Sequence, residues 1–291
     1  MTPTTLTVVR PGALTTVQDA GRTGHAHLGV PRSGALDAPA LRLANRLLGN
    51  PENTAVLETT LTGCAVRPDR GVMAIVGGAP CRVTIDGRPA PWGTPVHVPA
   101  GATLDAGPAT SGLRSYLAFA GGLAAEPTLG SRATDLLSGL GPAPLTEGTR
   151  IPLGPAPGKT PVLPEAPPWP APPAELVLPA RPGPRADWFT DAALRTFLTA
   201  TYTVSAQSNR IGLRTRGPAL ERAKGGELPS EGMVLGAVQV PPDGLPVVFL
   251  HDHPTTGGYP VIAVVPEQAL AAAAQAVPGT PLRFVPDPFT G

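Results

Sequence analysis

The run Pro152-Leu153-Gly154-Pro155-Ala156-Pro157-Gly158 opens a stretch that extends to Pro184 and holds thirteen prolines. Proline fixes φ near about −65° and lacks an amide N–H, so neither a helix nor a central strand is expected to run through such a stretch. Residues 152–185 therefore read as a stiff, polyproline-II-like connector, with room for one short strand at 175–178. On either side lie two globular pieces, 1–151 and 186–291.

The rest of the chain is also heavily punctuated. Its 40 prolines and 35 glycines make up about a quarter of 291 residues, against roughly 12% in an average chain. That excess excludes a long coiled coil and any transmembrane span of about 20 unbroken apolar residues. Disorder is excluded too, because 42% of residues are hydrophobic and fall in runs such as Val72-Met73-Ala74-Ile75-Val76. Lys and Arg number 22 against 21 Asp and Glu, which leaves no basic footprint for nucleic acid or anionic lipid. The start, Met1-Thr2-Pro3-Thr4-Thr5, has no basic flank or apolar core of an export signal. Cys64 and Cys81 form no metal-type spacing. A cytoplasmic protein with two reduced thiols is expected.

Short β-branched or alternating runs bounded by Gly or Pro read as strands at 5–9, 55–60, 72–76, 82–85, 95–98 and 114–120. After the connector they recur at 201–205, 236–240, 247–250, 261–265 and 282–285. One helix starts at the cap Asp37, turns Leu41, Ala44, Leu47 and Leu48 to one face, and stops at Gly49. Residues 188–200 and 266–276 read as two more. The expected class is mainly β with about three helices. Thr16-Val17 followed by Arg22-x-Gly24 echoes Thr203-Val204 followed by Arg210-x-Gly212, a hint that the two pieces are related.

Familiar catalytic signatures are missing: there is no GxSxG and no HExxH. Residues 154–160 imitate a phosphate loop but place three residues between the glycines where four are needed, and two of them are prolines that donate no N–H. His25/His27 and His251/Asp252/His253 have chelating spacing, yet no third ligand falls nearby, so hydrogen-bonded loop histidines are favoured and no metal is expected. Two loops differ in kind. Gln18-Asp19-Ala20-Gly21-Arg22 through Arg32-Ser33-Gly34-Ala35-Leu36-Asp37 gathers an amide, carboxylates and arginines beside a helix start. Gln239 through Asp243-Gly244, then Asp252 and Thr255-Thr256-Gly257-Gly258-Tyr259-Pro260, combines close-approach glycines with hydroxyls and a phenol. Ordinary turn chemistry explains either loop equally well.

Taken together, Val17-Gln18-Asp19-x-Gly21-Arg22-x-Gly24, Gly34-Ala35-Leu36-Asp37, Ser208-Asn209-Arg210-x-Gly212, Gly236-Ala237-Val238-Gln239-Val240-Pro241 and Thr255-Thr256-Gly257-Gly258-Tyr259-Pro260 resemble one family. It is the family of the 5-oxoprolinase C subunit, or biotin-dependent carboxyltransferase-like family, also called the second subunit of allophanate hydrolase. The likeness runs from about residue 5 to 285 with motifs in fixed order. Each motif alone is weak; the ordered set is specific.

The resemblance implies two cyclophilin-like β-barrel domains, at 1–151 and 186–291. It implies an assembly with the 5-oxoprolinase B component (KipI-like) and A component that opens 5-oxo-L-proline to L-glutamate with ATP, with Mg in the complex. Two other roles follow from the same likeness: a biotin-dependent carboxyltransferase component, urea carboxylase-like, with biotin as cofactor, or a non-enzymatic regulatory partner of a KipI-like protein. The site then takes Asp19, Asp243 and Arg210 as catalytic candidates. Gln18, Arg22, Ser208, Asn209, Gln239, Thr255, Thr256, Gly257, Gly258 and Tyr259 are the substrate- or anion-binding candidates, each arginine having a loop-fastening salt bridge as its plain alternative. One departure is visible: the family carries Gln before Thr-Thr-Gly-Gly-Tyr-Pro, whereas Pro254 stands here after His253, which removes one donor and one acceptor.

Overall fold

Residues 3–158 and 168–288 are described by the computed structural model, and they fall into two compact units. The first comprises Met1–Arg22, Ser33–Asp135 and Gly139–Pro172; the second comprises Thr23–Arg32, Leu136–Ser138 and Pro173–Gly291. The division is thus not contiguous: two short loops from the amino-terminal half of the sequence count with the second unit. Among the described residues there are three α-helices in a mainly β chain, and no helix is long and apolar enough to cross a membrane.

Chain order in the first unit is β1 (Thr5–Arg10), β2 (Leu14–Gln18), α1 (Ala38–Leu48), β3 (Val56–Thr60), β4 (Cys64–Pro68), β5 (Val72–Gly78), β6 (Cys81–Ile85), β7 (Arg88–Ala90), β8 (Val96–Val98), β9 (Leu104–Ala109), β10 (Arg114–Phe119) and β11 (Arg150–Pro152). Six strands form one sheet in the order β11-β1-β4-β9-β6-β7, and five form another in the order β2-β3-β10-β5-β8. Strand β10 explains how both faces of the second sheet are used. Leu117 and Phe119 point into a core shared with Val8, Val66 and Leu104 of the first sheet. Tyr116 and Ala118, one residue out of phase, point instead at Leu41, Ala44 and Leu48 of α1, as a period of two requires.

The helix is bounded as its sequence dictates. Asp37 Oδ1 accepts from the Ala40 amide at 3.1 Å, and Gly49 closes the other end at φ 73°, a left-handed conformation that costs glycine little. A buried carboxylate ties the helix entry to the sheet. Glu58 Oε2 accepts from the Leu36 amide and from the Tyr116 hydroxyl, both at 2.9 Å. The Tyr116 oxygen in turn accepts from the Asp37 amide at 2.8 Å. Burial first, and the Glu58 charge second, lift the Tyr116 phenol well above its ordinary range.

The second unit holds β12 (Leu176–Pro182), α2 (Asp191–Thr199), β13 (Tyr202–Val204), β14 (Gly212–Arg216), β15 (Glu231–Gly232), β16 (Ala237–Gln239), β17 (Val247–Phe249), β18 (Thr256–Gly257), β19 (Val261–Val264), α3 (Glu267–Gln275) and β20 (Pro281–Pro286). Seven strands close into a barrel in the order β12-β19-β16-β17-β14-β13-β20, and β15 with β18 makes a separate two-stranded ribbon.

Strand β12 corrects the expectation that no central strand crosses residues 152–185. It pairs in parallel with β20 from Leu176 to Ala180, and with β19 only at Arg181 and Pro182. The Ala180 carbonyl accepts from the Asp287 amide at 3.2 Å, so alternate residues from Leu176 face β20. Pro179, out of phase, turns its donor-free nitrogen to the side where β19 has not yet joined. The ladder loses no bond there, and the strand runs four residues beyond 178. The amino-terminal part of the stretch is anchored as well: the Trp169 indole donates to the Gly93 carbonyl at 2.9 Å and packs at 5.7 Å against Trp92. Residues 159–167 lie outside the described residues.

Candidate functional site

In the first unit, the loop after β2 is built around Asp19. Its Oδ1 accepts from the Gly21 amide at 2.8 Å and from the Ser131 hydroxyl at 2.6 Å, while Oδ2 accepts from the Arg132 amide at 2.6 Å. A carboxylate so engaged clamps two chain segments together. Gln18 is buried, donating from Nε2 to Thr16 Oγ1 and to the Thr134 carbonyl, each at 3.0 Å. Ser33 donates to that same carbonyl at 2.9 Å.

Arg22 is only 2% exposed. Its Nε donates to the Thr128 carbonyl at 3.3 Å, and its Nη2 donates to the Ala133 carbonyl. Nη1 has no partner among the described residues, and neither do Gln18 Oε1, Thr134 Oγ1 and Arg132 Nε, all of them buried. Four such atoms on two touching segments are unusual, since buried polar groups are nearly always paired. Residues 128–134 were not singled out by the sequence. Their partners lie more than a hundred positions away, and no local motif announces such a contact.

The second unit treats its candidates differently. Asn209 Oδ1 accepts from the amides of Ile211 and Gly212, and Ser208 Oγ accepts from the Arg214 amide at 3.0 Å. Both residues shape the turn leading into β14. Arg210 lies in that turn and is bound to Asp252, Nε to Oδ2 at 2.9 Å and Nη2 to Oδ1 at 3.1 Å. The two side chains are 1% and 0% exposed. Oδ2 also accepts from the Leu136 amide at 3.3 Å. The loop-fastening salt bridge, the plain alternative for an arginine, is the arrangement found at Arg210. Asp243 sits in an exposed turn closed by the Gly244 amide on the Pro241 carbonyl, its Oδ1 accepting from the Leu245 amide at 3.0 Å.

Gln239, Gly257 and Tyr259 do come together. Gln239 Nε2 donates to the Tyr259 carbonyl at 3.1 Å. A Cβ on Gly257 would stand 2.7 Å from that nitrogen and 3.3 Å from the Met233 side chain, so a side chain there would push the Gln239 amide from its place. The ribbon pairs Gly232 with Thr256 and Glu231 with Gly257, and the Met233 amide donates to the Thr255 carbonyl at 2.8 Å. The segment Thr255–Gly258 is therefore backbone-braced, with Thr256 exposed and the Tyr259 ring 43% exposed. At the departure from the family pattern, His253 Nδ1 donates to the Pro254 carbonyl at 2.7 Å, and its ring stacks on Phe249 at 5.7 Å.

No group of three or more His, Cys, Asp or Glu among the described residues is arranged to hold a metal ion. The starts of the three described α-helices are poorly suited to the polyphosphate of ATP. At α1 the Leu36 amide is given to Glu58 and the Ala40 amide to Asp37. Thr190 caps α2, with Asp191 in its first turn, and α3 begins with Glu267, which pairs with Arg32 at 2.8 Å. Each of these three α-helix starts carries an acidic group where phosphate would need free donors. In the imitation phosphate loop, Lys159 and Thr160 lie outside the described residues.

A mainly β chain of two units, whose glycine-braced segment and buried loop arginines sit on the motifs quoted above, defines a carboxyltransferase-like protein. Residues 28–286 match the carboxyltransferase domain, subdomain A and B, and the chain belongs to that family. It is 38% identical to the C subunit of 5-oxoprolinase from Escherichia coli (strain K12), over 96% of this chain and 90% of that one. It is 36% identical to urea amidolyase of Saccharomyces cerevisiae, over 98% of this chain but 17% of that one. Among solved structures, the Kluyveromyces lactis urea amidolyase superposes with a TM-score of 0.90 at 31% identity, covering 98% of this chain and 19% of the solved one. The crystal structure of TTHA0988 gives 0.87 at 37% identity, with this chain covering 56% of its length.

Proposed function

We propose that this chain is the C component of a cytoplasmic, ATP-dependent 5-oxoprolinase that hydrolyses 5-oxo-L-proline to L-glutamate, working with a KipI-like B component and an A component. The observation that carries the reading is the 38% identity with a 5-oxoprolinase C subunit, sustained over 96% of this chain and 90% of that one.

A lactam carbonyl resists water because of amide resonance, so the site must hold the ring and stabilise charge developing on oxygen. The first unit offers a donor and an acceptor lacking partners, Arg22 Nη1 and Gln18 Oε1, on side chains fixed to the adjacent carbonyls of Ala133 and Thr134. An amide complements that pair, its C=O accepting from Arg22 and its N–H donating to Gln18. Both atoms are buried, so substrate reaches them when the loop after β2 moves aside. Arg210 acts through Asp252 as a positioning residue. Asp19 clamps its loop, and Asp243 lies in an exposed turn; the base and the nucleotide, with its Mg, are assigned to the partner proteins.

The test is co-expression with the B and A components, followed by assay of glutamate release that requires both ATP and 5-oxoproline. Activity of the assembly, and none from the isolated chain, is the expected result. A specific observation supports a second reading: the likeness extends at 36% identity to urea amidolyase. An assembly inert toward 5-oxoproline that accepts a carboxyl group from carboxybiotin would replace the first reading by the second.

A further inference from the structure

The second unit contains a cavity of about 290 Å³ that no part of the proposed reaction uses. It lies under α2, where β12 meets β19 at only two positions, and small side chains keep it open. Ala180, Ala186 and Ala263 line it where longer aliphatic groups would fill the space. Its other apolar walls include Ile262, Leu198 and Phe197, and Phe197 is held by stacking on Phe284 at 4.4 Å. The wall is thus preformed. Small-molecule pockets begin at about 300 Å³ and combine apolar walls with a few placed polar groups.

Arg181 is the sole charged residue among those lining the cavity. Its Nε is bound to Asp287 Oδ2 at 2.6 Å, with Arg181 half exposed and the Asp287 side chain only 2% exposed. The two Nη atoms of Arg181 have no partner among the described residues. A guanidinium engaged along one edge still presents a planar fork to a second carboxylate. The buried Asp287 cannot receive a cation from the cavity.

We propose that this cavity is a binding site for a small amphipathic carboxylate, its hydrocarbon body under α2 against Phe197 and its carboxylate on the free edge of Arg181. The full chain is titrated calorimetrically with hexanoate, hexanol and hexylamine. Hexanoate should bind at one saturable site, about tenfold tighter than hexanol, as one charge-assisted hydrogen-bonded contact implies, and hexylamine should not bind. Leu198→Trp, which fills the space from the exposed side of α2, should abolish hexanoate binding at an unchanged melting temperature. Removing both partners of the ion pair with Arg181→Met and Asp287→Asn leaves no buried carboxylate alone, and should bring hexanoate down to the affinity of hexanol. Equal binding of hexanoate and hexanol, binding indifferent to Leu198→Trp, or no saturable binding at all would each overturn the assignment.

Discussion

Arg210 and Asp252 meet through two hydrogen bonds, Nε to Oδ2 at 2.9 Å and Nη2 to Oδ1 at 3.1 Å, and both side chains are sealed from solvent. Removing one partner strands a charge in the interior, which costs about 3–5 kcal/mol, whereas replacing both with apolar groups is often close to neutral. Asp252→Asn should therefore lower the urea midpoint sharply, and Arg210→Met with Asp252→Asn, which keeps an acceptor for the Leu136 amide, should recover most of the loss. If the double variant is stable yet its assembled enzyme loses turnover, Arg210 positions the site. A fully active double variant would confine the pair to holding the loop.

Trp169 is keyed to two glycines. A Cβ on Gly77 would stand 2.0 Å from the indole, and one on Gly93 would stand 2.8 Å from its nitrogen. Gly77→Ala should expel the ring, with a red shift in tryptophan emission and faster proteolysis near Trp169. Emission matching the parent protein would show that the sheet yields instead.

Four buried acids, Cys64, Cys81, Tyr116 and Tyr202, set the alkaline limit of stability. Burial pushes the Cys64 thiol up to about 12 from its ordinary 9.0, and it lifts the Tyr116 phenol well above 10.0. The folded chain holds these protons where the unfolded chain releases them, so the stabilisation is complete below pH 9 and falls as pH rises toward 12. Cys64→Ala should flatten the early part of that fall in denaturation curves taken from pH 8 to about pH 11. At neutral pH the native Cys64 should resist thiol reagents; rapid labelling of the folded chain would contradict the burial.

Much of this architecture could be read in advance because it is written locally. The cap Asp37, the apolar face of α1 and the stop at Gly49 are neighbours in sequence. What escaped reading was set by distant partners. Strand β9 contains Gly107-Pro108, a turn signal, yet it pairs with β4 and with β6. Strand β14 hides an inward alternation of Leu213 and Thr215 between outward arginines. Arg22 and Arg210 looked alike as loop arginines, and only tertiary contacts separate them. One meets Asp252, forty-two positions on, and the other meets carbonyls more than a hundred positions away.

That difference makes Arg22 the sharper test of the proposed chemistry. Its Nη1 is the donor without a partner, while Nε and Nη2 are spent on backbone carbonyls. Arg22→Lys keeps the charge but gathers its donors on one nitrogen, which does not reach the separate positions that the planar guanidinium spans. In the assembled enzyme it should cut kcat by about 10²-fold or more, the usual cost of one preorganised donor at a developing oxyanion. Gln18→Leu removes the acceptor offered to the lactam N–H and should act mainly through KM for 5-oxoproline. The two effects should combine less than additively, because both side chains are fixed to adjacent carbonyls and face the same small ring. Should Arg22→Lys fold normally and turn over at the parent rate, the amide-binding role would pass to another part of the assembly.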